Sequence, residues 1–241
     1  MRRNRSPLTN ILSSLCGMLA LALLLMACGG DGSPAPSAQQ LIKDSQTAIQ
    51  KASSYHFNLK TDNLGATSSL PVQSADGDLV SPDKLQANAT VLFSGSTLQT
   101  QLIAIGDDEY VNLLGTWTKT TEILDPRKIT DPQTGIAGIL GHIQNPSTPS
   151  DSSSYGTACW SINGKLDAQY LAAFTGGGAP SGTVNDITTC IGKSDKLPYL
   201  IVIKGIAAQG DTAQTTRTFK FSKYNEKVTI NPPPLAGTPT P

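Results

Sequence analysis

The sequence predicts an α+β domain, an antiparallel sheet accompanied by a few helices. Two observations carry that prediction. Apolar residues alternate with a period of two in a succession of short segments, which marks strands with one buried face. The links between several of these segments are too short for helical crossovers, so neighbouring strands run antiparallel. Around 38–52 and 132–144 the apolar residues instead recur at intervals of three and four, the spacing of one helix face.

The chain has 241 residues, and residues 1–27 read as a lipoprotein signal peptide. Arg2, Arg3 and Arg5 supply the charged start, and the apolar run Leu15 to Ala27 supplies the short hydrophobic segment. A spanning helix needs about 20 apolar residues, so this run is too short to cross a bilayer. It ends in Leu25-Met26-Ala27-Cys28, with Gly29 and Gly30 behind, so small residues flank the cut that a lipid-modified cysteine requires. Cys28 is therefore expected to carry the lipid, palmitate included, and to tether the mature chain to the cell membrane from outside the cytoplasm. An ordinary cleaved signal with Cys28 as a bystander is the other reading. Cys16 lies within the signal and leaves with it.

Residues 28–37, rich in Gly, Ser and Pro, form a flexible tether. The domain is expected over 38–231, with a loose Pro-rich tail at 232–241. Ser37 and Gln40 suggest a capping box for a first helix carrying Leu41, Ser45, Ala48 and Ala52, with Ile42 and Ile49 beside them. Strands follow at Tyr55 to Lys60, Leu85 to Phe93, Leu98 to Ile105, Tyr110 to Leu114 and Trp117 to Thr120. Asp131-Pro132 has the form of an N-cap with proline at the first helical position, opening a second helix that carries Ile136, Ile139, Leu140 and Ile143. Its Gly135, Gly138 and Gly141 each lower helix propensity by roughly 1 kcal/mol, so this helix should be weakly held or pressed close to another backbone. Residues 145–154 read as a polar loop, Thr157 to Ile162 as a strand and Leu166 to Phe174 as a short helix. Leu197 to Ile206, Thr212 to Tyr224 and Val228 to Ile230 close the domain as strands.

Acidic and basic residues balance at 18 each, and losing the signal's arginines leaves the mature chain slightly negative. No basic block or basic and aromatic stripe is present, which argues against a nucleic-acid partner. Of the cysteines, only Cys159 and Cys190 lie beyond Cys28; in an exported chain they are expected to pair, closing a loop worth roughly 3 to 4 kcal/mol. With only two histidines, His56 and His142, a multi-histidine metal site is excluded, and both read as structural. Asp107-Asp108-Glu109 lacks the spaced oxygens of a calcium loop and reads as a solvated turn. Gly176-Gly177-Gly178 lacks the Lys-Ser/Thr of a phosphate loop. The match of Asn88-Ala89-Thr90 to a glycosylation sequon is accidental in a chain with a bacterial lipid signal. No catalytic residue, metal or cofactor is expected, and the protein reads as a non-enzyme. A lipid-modifying enzyme would need His56 or His142 in a cavity beside a serine or carboxylate.

One strand face carries Leu85, Ala87, Ala89, Val91 and Phe93, aliphatic but partly small. A packed core with small residues and an incompletely filled interior both fit it. Several ordered segments bear a resemblance: Ser54-Tyr55-His56-Phe57-Asn58-Leu59, Ala75-Asp76-Gly77-Asp78-Leu79, Gly106 to Tyr110 followed by Gly115-Thr116-Trp117, Asp131 to Leu140, and Phe219 to Ile230 before Pro232. Together they resemble the LppX/LprAFG lipoprotein family, known best from mycobacterial cell envelopes. That resemblance implies a curved, half-open antiparallel sheet wrapping helices around a hydrophobic cavity, similar to the LolA and LolB carriers. It also implies a partner that is an acylated lipid or glycolipid, moved towards the outer envelope. On that fold the cavity would be lined by Phe57, Leu59, Leu85, Ala87, Ala89, Val91 and Phe93 from the sheet and by Ile136, Ile139 and Leu140 from the second helix. A structural or sensory envelope lipoprotein with a fully packed core and no cargo is the alternative. Cys159, Cys190 and the Ser-rich stretch 147–154 are not part of the family pattern.

Overall fold

The computed structural model describes residues 36–235 except 70, 94, 122, 155, 176 and 177. The signal, Cys28, most of the tether and the end of the Pro-rich tail lie outside the described residues, as do Gly176 and Gly177 and the side chain of Phe93.

Helix α1, Ala38–Gln50, starts where Ser37 Oγ accepts the Gln40 amide at 3.2 Å. Only half of a capping box forms, because the Gln40 side chain turns forward to donate to Asp44 at 2.7 Å. The buried stripe of α1 is Leu41, Ile42, Ser45 and Ile49. Six strands follow as a meander: β1 Ser54–Asp62, β2 Val72–Val80, β3 Lys84–Phe93, β4 Ser96–Ile105, β5 Asp108–Leu113 and β6 Thr116–Thr120. Two short helices, α2 Pro126–Thr130 and α3 Ile136–Gly141, lead to a second meander. It consists of β7 Ser150–Ser154, β8 Thr157–Asp167, β9 Val184–Gly192, β10 Pro198–Lys204 and β11 Thr216–Ser222. A 3-10 turn at Ala168–Leu171 and the one-turn helix α4, Ala172–Thr175, separate β8 from β9.

The two meanders join through β1 and β11 into one eleven-stranded sheet, ordered β6-β5-β4-β3-β2-β1-β11-β10-β9-β8-β7. Every neighbouring pair is antiparallel, and the sheet stays open, with β6 and β7 as its edges. The architecture is sheet-dominated, with four α-helices among the described residues.

Several expectations are corrected. Residues 150–154, expected in a polar loop, form β7; an all-polar edge strand paired on one side shows no alternation, which is why its pattern is silent. Strands β2 and β9 were likewise not anticipated; in β2 the buried positions Ala75 and Gly77 are too small to stand out as an apolar face. The second helix starts at Ile136 rather than Pro132, because Asp131 caps a turn through the amides of Gln133 and Thr134, both at 2.8 Å. The earlier Asp125-Pro126 pair opens the unexpected α2. Strand β8 runs on to Asp167, so the helix expected from Leu166 shrinks to the 3-10 turn and α4. Residues 228–230 form no strand, although Ile230 is buried. The glycines of α3 are explained by close approach: a Cβ on Gly138 would stand 2.0 Å from the Gln133 carbonyl oxygen. Beside it, α3 packs on α1, where Gln46 Nε2 donates to the Ala137 carbonyl at 3.0 Å.

Cys159 and Cys190 are joined as a disulfide between β8 and β9, with Cα atoms 5.5 Å apart, and both are buried.

Candidate functional site

One transverse row of the sheet explains where space is left. Reading inwards from β11, the paired positions are Phe221, Phe57, Gly77, Ala87, Leu102 and Val111. The neighbouring row is Phe219, Leu59, Ala75, Ala89 and Thr100. Phe and Leu side chains on β11 and β1, and Leu102 on β4, therefore flank a block of four small residues on β2 and β3. Only glycine fits at position 77, because β2 and β3 press together there and a Cβ would lie 2.1 Å from the Gln86 carbonyl oxygen.

Over this floor lies a cavity of about 850 Å³. Tyr55, Phe57, Leu59, Leu79, Leu85, Leu102, Phe219 and Phe221 form its apolar wall, with Ala75, Ala87 and Ala89 beneath. Ile129 of α2, Ile136 of α3 and Ala172, Ala173 and Phe174 of α4 line it from the helices. The aromatic side is braced by contacts among its own rings. Tyr55 meets Phe221 edge-on at 5.7 Å, Phe174 meets Phe219 at 6.0 Å, and Phe219 stacks on Phe221 at 6.4 Å. Burial pushes the Tyr55 phenol well above its ordinary pKa.

Of the residues expected to line a cavity, Phe57, Leu59, Leu85, Ala87, Ala89 and Ile136 do so. Val91 is not among the lining residues, although it follows Ala89 on the same strand face. Ile139 borders a small neighbouring recess, and Leu140 is fully buried in the core. The side chain of Phe93 lies outside the described residues.

Polar groups also border the cavity. Arg127 donates to Asp125 at 2.9 Å and to Asp107 at 2.7 Å, and Lys128 lines the cavity with them. The hydrogen bond from Arg127 holds the Asp125 carboxyl below the usual carboxylate range. Glu109, expected in a solvated turn, is instead buried in β5, where its Oε2 accepts the amides of Ile123 at 2.6 Å and Leu124 at 3.3 Å. Arg217, which also lines the cavity, forms a buried bidentate pair with Asp211, at 2.5 and 2.9 Å. Asp211 also accepts the amides of Ala207 and Ala208 and the hydroxyl of Ser68. Burial pushes the Asp211 carboxyl up, and the Arg217 guanidinium more than offsets it, leaving the pKa below its ordinary value.

Neither histidine lines this cavity. His56 lies on the opposite face of the sheet, with Nδ1 2.8 Å from Asp78 and Nε2 3.2 Å from Asp76. His142 caps α3, placing Nδ1 2.7 Å from the Gly138 carbonyl, and stacks on Tyr170 at 3.6 Å.

Sequence reasoning missed Tyr55, Ala75, Leu79, Phe219, Phe221, Glu109 and Arg217. Phe219 and Phe221 carried a usable signal, since they alternate on β11. Arg217 and Glu109 carried none, because a buried charge looks like a surface charge until its partner is placed.

Known proteins are similar to this chain in sequence and in fold. The LppX_LprAFG lipoprotein family profile matches residues 37–230. LprF of Mycobacterium bovis, described as a putative diacylated glycolipid transporter, is 29% identical over 58% of this chain; the match spans 56% of the relative's length. The lipoarabinomannan carrier protein LprG of Mycobacterium bovis is 22% identical over 85% of this chain and 86% of its own. The crystal structure of LprF from Mycobacterium bovis superposes with a TM-score of 0.68 at 25% identity, covering 83% of this chain and 99% of that one.

Proposed function

The chain belongs to the LppX_LprAFG lipoprotein family, and from that premise we propose that it is an exported, membrane-anchored carrier that takes the acyl chains of a lipid or glycolipid into its cavity and moves them across the cell envelope. The observation that carries this reading is the apolar cavity of about 850 Å³ over the small-residue floor. A structural lipoprotein would have every reason to fill that volume, because unfilled core space forfeits packing contacts. The open sheet and helices α3 and α4 would together enclose the chains.

The energetics fit a carrier. Each methylene in water costs about 0.8 kcal/mol, so an acyl chain of about 16 carbons opposes free diffusion by roughly 12 kcal/mol. An enclosed apolar cavity removes most of that barrier without any bond being made or broken, so we take the protein to be a non-enzyme. Among the described residues no helix is long and apolar enough to cross a membrane; attachment in this proposal rests on a lipid at Cys28. The description of LprF as a putative diacylated glycolipid transporter and of LprG as a lipoarabinomannan carrier supports the cargo class.

Native mass spectrometry of the protein purified from a lipid-rich host, followed by solvent extraction, tests the proposal. The expected result is a bound mass in the range of an acylated lipid that is released on extraction. Protein that emerges lipid-free from such hosts, and takes up no lipid offered in vesicles, would count against a carrier.

A further inference from the structure

The face of the sheet opposite the cavity has a recess of its own, about 240 Å³ in volume, that the carrier reading leaves without a role. One wall is polar and already ordered. Asp76, Asn88, Gln101 and Asn112 sit at successive paired positions across β2 to β5. Asn112 Nδ2 donates to Gln101 Oε1, and Gln101 Nε2 donates to Asn88 Oδ1, both at 3.0 Å. His56 braces the near end by bridging Asp76 and Asp78, and Gln86 Nε2 donates to Asp78 at 3.0 Å.

The other wall is apolar. Trp117, paired with Asn112 at the end of the same row, lines the recess together with Ile103. An outer strand face that only has to be wetted is served by any mixture of flexible charged and hydroxyl side chains. Here planar amides and carboxylates are held in fixed geometry by one another, next to a partly exposed indole. Planar groups fixed in this way present donors and acceptors without losing rotamer freedom on binding, while the indole offers a flat apolar surface. A sugar ring matches both walls, since it carries hydroxyls around its rim and C–H bonds across its face. The volume lies just below the range of sites for drug-sized ligands, which suits a single ring.

We propose that this recess binds one pyranose unit of a neutral glycan, with its C–H face against Trp117 and its hydroxyls hydrogen-bonded to Asp76, Asn88 and Gln101. The same chemistry is presented by a free oligosaccharide and by the sugar headgroup of a glycolipid in a membrane, so the test offers both. The protein has two tryptophans, and Trp160→Phe leaves Trp117 as the sole tryptophan, read by excitation at a wavelength that tyrosine does not absorb.

The full chain carrying that change is titrated with mannotetraose, cellotetraose and galactotetraose, and separately with phosphatidylcholine vesicles with and without digalactosyl diacylglycerol. Saturable change in Trp117 emission with a tetrasaccharide assigns the site to free glycan, and change only with glycolipid vesicles assigns it to a headgroup. In either case Gln101→Ala should weaken binding roughly tenfold, and Trp117→Ala should abolish it when followed by calorimetry. Both variants should keep the parent's melting temperature and its content of extractable lipid. Lack of binding to every probe, or binding undiminished in Trp117→Ala, overturns the proposal. So does binding that disappears when Ala89→Trp fills the cavity on the other face, since the sugar would then belong to cargo held there. Absence of extractable lipid from the parent protein would count against the carrier reading and leave this one standing.

Discussion

Ala89→Trp separates a cavity from a core. Ala89 lies in the floor between Ala75 on β2 and Thr100 on β4, and its methyl group borders the volume of about 850 Å³. If that volume were absent in solution, an indole would have to be forced into packed side chains, at a cost of about 1 to 3 kcal/mol. For a domain of this size each kcal/mol lowers the melting temperature by roughly 2 to 4 °C, so a drop of about 2 to 12 °C would follow. With the cavity present, the ring enters empty space and the melting temperature should stay within about 2 °C. The cargo is affected in the opposite sense. An indole that displaces about four methylenes removes roughly 3 kcal/mol of burial, more than a hundredfold in affinity. Thermal unfolding and extraction of bound lipid, measured on the same preparation, therefore give an expected pair: unchanged melting and strongly reduced lipid. Marked destabilisation in a protein that never carried lipid would refute the reasoning and favour a packed structural lipoprotein.

Three further outcomes are expected. Cys28→Ala should abolish acylation and leave a released soluble form or an uncleaved precursor, and an acylated mass on the variant would overturn the anchor assignment. Replacing Cys159 and Cys190 together by serine opens a loop of sequence separation 31, which should cost about 3 to 4 kcal/mol by chain entropy; denaturant titration that shows no loss would refute it. Arg217→Met leaves Asp211 buried without its guanidinium and should cost about 3 to 5 kcal/mol, and it should also reverse the local response to acid. In the parent, the depressed Asp211 pKa stabilises the fold above the unfolded value of about 3.9, and this is lost as pH falls through the native value. In the variant, burial, the largest influence on Asp211, is opposed only by the Ser68 hydroxyl and the Ala208 amide, so its pKa should rise and this group should favour folding as pH falls from 6 towards 4; melting curves of both proteins over that interval should show the difference.

Several of the strands and the first helix were legible because their buried faces repeat. Phe57 and Leu59 announce β1, Leu85 to Val91 announce β3, and Leu41 to Ile49 announce α1. What was not legible depends on pairing. Ala87 and Ala89 look like small core residues until β2 brings Ala75 and Gly77 alongside them, and β2 itself was hidden because its buried positions are small. The helix carrying Ile136, Ile139 and Leu140 presents one apolar stripe in sequence. In space, Ile136 reaches the cavity while Leu140 is spent against the core. Asp125-Pro126 and Asp131-Pro132 offer the same N-terminal signal, and only the first opens a helix directly. In the second case the cap is satisfied locally by the amides of Gln133 and Thr134, and the chain turns before the helix begins.

An open sheet carries a hazard that a closed barrel avoids, since each edge strand presents unpaired backbone groups to other chains. This chain limits the exposure at both edges. β6 and β7 have only five residues each, and β7 is Ser-Asp-Ser-Ser-Ser, a sequence with no apolar side chain to reward strand addition. The two edges are also consecutive in the chain, so the segment between them, which carries α2 and α3, runs from one edge to the other and supplies Ile129 and Ile136 to the cavity. Closing the sheet would bring β6 and β7 together and leave that segment no role in lining the interior. For a carrier, the open edges would be the cost of a wall made from a helical connection instead of a paired strand, because a wall that must admit and release an acyl chain has to part without breaking the backbone hydrogen bonds of the sheet.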